Sequence, residues 1–246
     1  MKQIRFLLLP LFAAMLLFVT SCGDNEDTSD NDALTTDSTN NTPATTDTVA
    51  VAPSAPVSLM LAKHKVSNFA KWKAVYDEGD SMRMANGLHN FVIGRGVPDS
   101  NTVLVAVKVD DMEKAKSFSK DPALKKAMQK SGVVGAPTIM FLNVPYMEAT
   151  QTSDMRRMTS ITVKDWDAWR KTFESNRQTR LDNGLSDRAF GHDVDDNHKV
   201  IVVTNIIDSA KANAFMTSDI LKQNMKESGV VGAPTRFTYR VVQSYQ

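Results

Sequence analysis

One cysteine, three tryptophans and no dominant sign of charge deprive this 246-residue chain of several usual markers of function. A single thiol excludes an intrachain disulfide and any metal site built on several cysteines. The net charge of +1, from 29 basic and 28 acidic residues, excludes a uniformly basic nucleic-acid binder. No apolar run is long enough for a comfortable membrane span: Phe6 to Val19 is short and broken by Pro10. Serine-elbow, Walker and HExxH motifs are missing, as are paired carboxylates at a recognisable spacing. What remains, 42% hydrophobic and 23% charged residues, is ordinary globular composition.

The small net charge conceals three unlike segments. Residues 1–22 carry +2, residues 23–56 carry −7 with no Lys or Arg, and residues 57–246 carry +6. A basic start followed by the apolar run reads as a signal peptide. It ends in Val19-Thr20-Ser21-Cys22, which resembles the lipobox of bacterial lipoproteins. The resemblance implies a lipidated Cys22, carrying acyl chains such as palmitate, as the first mature residue, which leaves no thiolate nucleophile or Cys ligand. Each buried acyl methylene contributes about 0.8 kcal/mol, so several chains anchor the protein durably in a lipid bilayer. Residues 23–56, rich in Asp, Asn, Ser, Thr, Ala and Pro, are expected to be a disordered, charge-extended tether. The acidic cluster after Cys22 resembles the surface-export signal of some Gram-negative lipoproteins. The expected location is the cell envelope, at the outer membrane, facing either the periplasm or the surface.

The body repeats itself at a fixed offset of 97 residues. Ser131-Gly132-Val133-Val134-Gly135-Ala136-Pro137-Thr138 recurs unchanged as Ser228 to Thr235. The same offset carries Trp72 onto Trp169, Arg83 onto Arg180, Asn86-Gly87-Leu88 onto Asn183-Gly184-Leu185, and Phe118 onto Phe215. From Val66 to Thr138 there are 26 identities in 73 ungapped positions, far above chance, so residues 57–146 and 154–243 read as two copies of one unit.

Each unit reads as βαββαβ. In the first, residues 58–65 alternate, with Leu59, Leu61 and Lys63 on one face and Met60, Ala62 and His64 on the other. Asn68 opens a helix whose Phe69, Trp72, Tyr76, Gly79 and Arg83 recur at spacings of three or four, ending at Asn86-Gly87. Strands are expected at 88–95 and 102–109, around a turn at 98–101. A second helix, broken near Asp121-Pro122, stops at Ser131-Gly132, and a last strand covers 138–144. The repeated GVVGAP segment follows a helix and precedes a strand, the wrong order for a phosphate loop; it reads as a helix stop, a buried Val pair and a strand start. The order predicts an α+β fold: two ferredoxin-like sheets in one chain, paired as an intramolecular α/β barrel with the helices outside. A body that supplies both halves is expected to be monomeric once solubilised.

His64-Lys65-Val66, Phe69, Lys71-Trp72-Lys73, Arg83, Asn86-Gly87-Leu88, Pro122, Leu124 and Gly132 to Pro137 resemble the small members of the dimeric α/β-barrel superfamily. That group includes antibiotic-biosynthesis monooxygenase-like proteins and small proteins labelled cyclases. The resemblance implies the barrel, and a range of activities from cofactor-free oxygenation and cyclisation to haem chemistry; it does not choose among them. The second unit departs from it by placing Ile161 where the first has His64.

Among candidate site residues, Arg83 and Arg180 share a helix face with Trp72 and Tyr76, or Trp169 and Phe173. Each offers a guanidinium fork for an anion, or packs its stem on the Trp with the head on water or an acidic neighbour. His64, near the end of the first strand, and His89, near the start of the second, are the candidate catalytic bases, bordering one cavity with pKa values near neutrality. Trp72, Trp169 and Tyr76 line an apolar ligand pocket or are simply core. His192 and His198 flank a hairpin rich in Asp, read as a solvated turn, so no metal site and no cofactor are expected. The favoured function is binding of a small apolar or anionic ligand; the alternatives are a cofactor-independent monooxygenase- or cyclase-like enzyme and a protein-interaction module. Nucleic acid is not an expected partner.

Overall fold

Alternation in the first strand sorts its side chains between two environments. In β1 (Val57–Val66), Leu59 and Leu61 turn into the interior of a closed sheet, while Met60 and His64 turn toward helices. The computed structural model describes residues 55–150 and 152–245. The segments expected to be a signal peptide and a tether, with Cys22, lie outside the described residues through residue 54.

After β1 come α1 (Phe69–Glu78), α2 (Asp80–Ala85), β2 (Leu88–Gly96), β3 (Thr102–Val109), α3 (Met112–Ser119), α4 (Pro122–Ser131) and β4 (Val133–Met147). The second half repeats this order with β5 (Met155–Val163), α5 (Trp166–Ser175), α6 (Arg177–Asp182), β6 (Leu185–Asp193), β7 (Lys199–Ile206), α7 (Ser209–Phe215), α8 (Asp219–Glu227) and β8 (Val230–Ser244). Helix starts follow the sequence. Asn68 Oδ1 accepts from the Lys71 amide at 2.9 Å, Asp165 Oδ1 from Ala168 at 2.7 Å, and Asp121 Oδ1 from Ala123 at 2.7 Å, with Pro122 opening α4.

The strands form one closed antiparallel barrel in the order β1-β3-β2-β8-β5-β7-β6-β4. Closure depends on the two fifteen-residue strands, β4 and β8. Along its first part β4 pairs with β1 of its own half, and its last residues pair with β6 of the other; β8 joins β5 to β2 in the same way. The barrel interior packs Leu59, Leu61, Leu104, Leu142, Met158 and Tyr239, while Trp72 and Phe118, or Trp169 and Phe215, fill the space under the helices. A fully buried large apolar side chain such as Leu88, Ile93 or Phe190 contributes roughly 1.5–3 kcal/mol. Since the closed barrel leaves no free strand edge among the described residues, the solubilised full chain is expected to run as one chain per particle in light scattering. A stable two-chain particle would contradict that.

Three sequence expectations are corrected. The helix expected from Asn68 to Asn86 is two helices, because the chain breaks at Gly79 and, in the second half, at Asn176. The arginines explain how the break is tolerated: Arg83 Nη1 donates to Tyr76 O and Arg180 Nη1 to Phe173 O, both at 2.7 Å, satisfying carbonyls at the end of α1 and α5. The last strand begins at Val133 rather than residue 138 and runs to Met147. Finally, the Val pair of GVVGAP is buried only in part: Val133 and Val230 pack against the core, whereas Val134 and Val231 are about half exposed. Gly132 (φ 84°) ends α4 in the left-handed region, and Gly135 (φ 74°) then bulges the strand away from β1 opposite His64.

Candidate functional site

Each half encloses a cavity between its helices and the outer face of the sheet. The first, of about 100 Å3, is bounded by β1, α1, α2 and α4 and lined by His64, Trp72, Tyr76 and Arg83 among apolar neighbours. The second, of about 110 Å3, occupies the corresponding space and is lined by Trp169, Phe173, Arg180 and Phe215. Of the residues singled out in the sequence, these cavities therefore bring together His64, Trp72, Tyr76 and Arg83 on one side, and Trp169 and Arg180 on the other.

Arg83 and Arg180, matched by the offset of 97, are each largely committed to their own half. Arg83 Nε donates to Asn90 Oδ1 at 3.0 Å, Nη2 reaches Asp80 Oδ1 at 3.3 Å, and the guanidinium lies 3.7 Å from the Tyr76 ring centre. Asn90 Oδ1 also accepts from the Tyr76 hydroxyl at 2.6 Å, and burial pushes that phenol well above its usual pKa. In the second half Asp187 stands at the position of Asn90. Arg180 grips it with Nε at 2.7 Å and Nη2 at 2.6 Å, in an ion pair with both side chains buried. The acidic or polar neighbour at the sheet takes most of the fork that an anion would need.

His64 has a different character. Both ring nitrogens are buried without a hydrogen-bond partner, and the ring lies 5.5 Å from Trp72. Burial pushes its pKa down to about 4. The expectation of a base near neutrality is corrected accordingly: the imidazole is neutral at pH 7 and too weak a base for the best general-base catalysis. His89 does not join it. It does not line the cavity, and Nε2 meets Asp110 Oδ2 at 2.7 Å in a solvent-exposed pair. The expected shared cavity fails because adjacent residues on β2 alternate sides: Asn90 faces Arg83 and Tyr76, so His89 faces away.

The histidines of the acidic hairpin are tied to backbone. His192 Nδ1 lies 2.8 Å from Asp193 O, and His198 Nδ1 lies 3.0 Å from Val163 O. Among the described residues no group of three or more His, Cys, Asp or Glu is placed to hold a metal ion, and no helix is long and apolar enough to cross a membrane.

The residue that the sequence reading missed is Arg157. It is 7% exposed and lines the second cavity at the position that Met60 holds in the first. Nη2 donates to Asn213 Oδ1 at 2.9 Å, but Nη1 is buried and unpartnered. Burial, and then the charge of Arg236, hold its pKa below the usual arginine value. Arg236, exposed at the mouth, replaces Ile139 of the first cavity. Superposing the halves by the offset of 97 would have flagged both as charges entering an apolar set.

No family model and no curated protein matches the chain. Solved structures do. A protein of Fusobacterium nucleatum subsp. nucleatum, provisionally named a monooxygenase, is 15% identical with a TM-score of 0.52, covering 77% of this chain and 94% of its own. An anthrone oxidase-like protein is 15% identical with a TM-score of 0.55, covering 77% of this chain and 92% of its own. A provisionally named monooxygenase of Lactobacillus acidophilus is 10% identical at a TM-score of 0.50, covering 76% and 94%. The shared feature is the fold, an α+β barrel of two ferredoxin-like halves, and at these identities it carries no activity across.

Proposed function

We propose that this chain is a lipid-anchored envelope protein whose barrel binds a small ligand with an apolar body and an anionic group, taken up in the second-half cavity. The observation that carries the reading is Arg157: a buried guanidinium with an unused Nη1 in a cavity walled by Trp169, Phe173 and Phe215. A buried donor left unpaired costs about 1–3 kcal/mol, and more when charged, which an incoming carboxylate or phenolate would recover. At about 110 Å3 the space suits a single ring or a short chain, on the scale of the roughly 150 Å3 engineered cavity that holds benzene. Anchoring through Cys22, and an outer-membrane location facing periplasm or surface, complete the proposal from the sequence.

Native mass spectrometry of the full chain from its own host should reveal a retained ligand of this class. Titration calorimetry with benzoate and a panel of short aliphatic acids should show binding that Arg157→Met weakens by about tenfold or more, the loss of one charge-assisted hydrogen bond. Equal affinity in the variant, or a clean unliganded mass with no binding across the panel, would sink the reading.

A second reading has one specific observation behind it. The unpartnered imidazole of His64 in the first cavity supports a cofactor-independent oxygenase- or cyclase-like activity, with His64 hydrogen-bonding the substrate. It would be distinguished by turnover of a bound phenol or anthrone that is lost in His64→Ile and kept in Arg157→Met.

A further inference from the structure

We propose that the barrel interior, between the two half-sheets and separate from both helix-side cavities, is a binding site for one small monovalent anion held by Arg156 and Arg188. Both side chains point into the barrel with Leu59, Leu61 and Met158, around a cavity of about 50 Å3. Arg156 is 2% exposed and Arg188 6%. Two positive charges in an apolar core call for negative charge, yet among the described residues neither arginine takes part in an ion pair. Three of their donors, Arg156 Nε and Nη2 and Arg188 Nε, are buried without any acceptor. The contacts present do not neutralise them. Arg188 Nη1 donates to the backbone carbonyl of Glu148, and the guanidinium lies 5.9 Å from the Phe91 ring centre. Burial and then the charge of Arg156 depress the Arg188 pKa, consistent with two like charges facing one space. The hydroxyl of Tyr239 lies with them and accepts a hydrogen bond from Arg156; burial raises its pKa against that bond and the pull of both guanidiniums, so it stays protonated and keeps its own proton to donate.

Position in the duplication explains why this site is single. Arg156 stands where the first half has Leu59, and Arg188 where it has Phe91. Phe91 and Arg188 are the extra residues of matching bulges in β2 and β6, which turn both inward. The first half thus contributes apolar wall and the second the charge. A few waters fit the space but cannot offset the charge, whereas planar guanidiniums match a small oxyanion. Size restricts the ligand to nitrate, formate, acetate or a halide such as chloride, and excludes sulfate or citrate.

The test is thermal unfolding of the full chain in a buffer of bulky organic anions, with nitrate, formate, acetate or chloride exchanged in at constant ionic strength. The midpoint should rise by several degrees with a small anion and stay level with sulfate. Arg156→Leu/Arg188→Phe, which copies the first half, should remain folded and lose the rise. Replacing buried charges by fitted apolar groups is often neutral or stabilising. If the double variant does not fold, 35Cl line broadening in the wild type and in Arg188→Phe decides the matter: broadening lost in the variant supports the site. No rise or broadening in the wild type, or an equal response in the variants, overturns it.

Discussion

Gly191→Ala should prevent or severely weaken closure of the barrel. Gly191 lies on β6 where that strand meets β4 of the other half, and a Cβ there would sit 2.2 Å from Asn143 O and 2.9 Å from Val144 Cα. Both are backbone atoms of a paired strand, so relief requires moving β4 itself. Overpacking a core costs about 1–3 kcal/mol when side chains can yield, and a backbone collision belongs at or above the top of that range. A loss of ~3 kcal/mol in a domain of this size corresponds to a fall in Tm of roughly 10 °C. The match at an offset of 97 residues supplies an internal comparison. Gly94 is the matching residue at the other seam, and its added Cβ would meet the Tyr239 ring at 2.3 Å. A ring can tilt where a carbonyl cannot, so Gly94→Ala should fall by less. Equal melting midpoints for wild type and Gly191→Ala by circular dichroism would show that the seam is looser than its contacts imply.

These two glycines also mark where the sequence was legible and where it was not. The offset of 97 residues aligns them, and the same offset, with the alternation of β1 and the cap at Asn68, was enough to reach two βαββαβ halves and their pairing as one barrel. Local patterns carry this information because burial repeats every second residue in a strand and every third or fourth in a helix. The length of β4 was not legible. Its early part bulges at Gly135 and exposes Val134, and its late part is held by a strand from the other half, so neither end follows from local propensity. The break at Gly79 was hidden because the helical spacing of Trp72, Tyr76 and Arg83 continues through it, with Arg83 bonding the same Tyr76 carbonyl that the Gly79 amide bonds.

In the candidate site, the duplicated residues drew attention and the divergent ones held the unused chemistry. Arg83 and Arg180 recur because both halves need the break after α1 and α5 secured, and their forks are occupied by Asn90, Asp80 and Asp187. Arg156, Arg157 and Arg188 occur once each, matched by Leu59, Met60 and Phe91 in the other half, and these are the arginines with unpartnered donors. A sequence does not show which of five buried arginines meets a carboxylate, since the partner of the one buried pair, Asp187, lies on a different element from Arg180. The adjacent pair Arg156-Arg157 is instructive: strand alternation sends one into the barrel and the other under the helices, so one dipeptide serves two separate cavities.

His64→Ile should stabilise the protein, and the gain should grow as the pH falls. The variant copies Ile161 at the equivalent position, so its shape suits this point of the fold. At pH 7 it removes two buried ring nitrogens that lack partners, worth about 1–3 kcal/mol. The pH term follows from the folded-state pKa of about 4 against 6.5 for an unperturbed imidazole. Above pH 6.5 both the folded and unfolded imidazole are neutral and full stability is present. Between 6.5 and 4 only the unfolded chain takes the proton, so stability falls through that window, by about 3 kcal/mol in all, and the loss stops below pH 4. Carboxylates common to wild type and variant cancel in the difference, so urea titrations at pH 7, 5.5 and 4 should show a gap that widens steadily. A constant gap would mean that the imidazole finds water or a partner and is not desolvated. Keeping so costly a residue in one half only calls for a compensating role, and a ligand that hydrogen-bonds His64 would supply it. That ligand would raise the wild-type stability and leave His64→Ile unchanged, separating a histidine kept for binding from one that merely packs against Trp72.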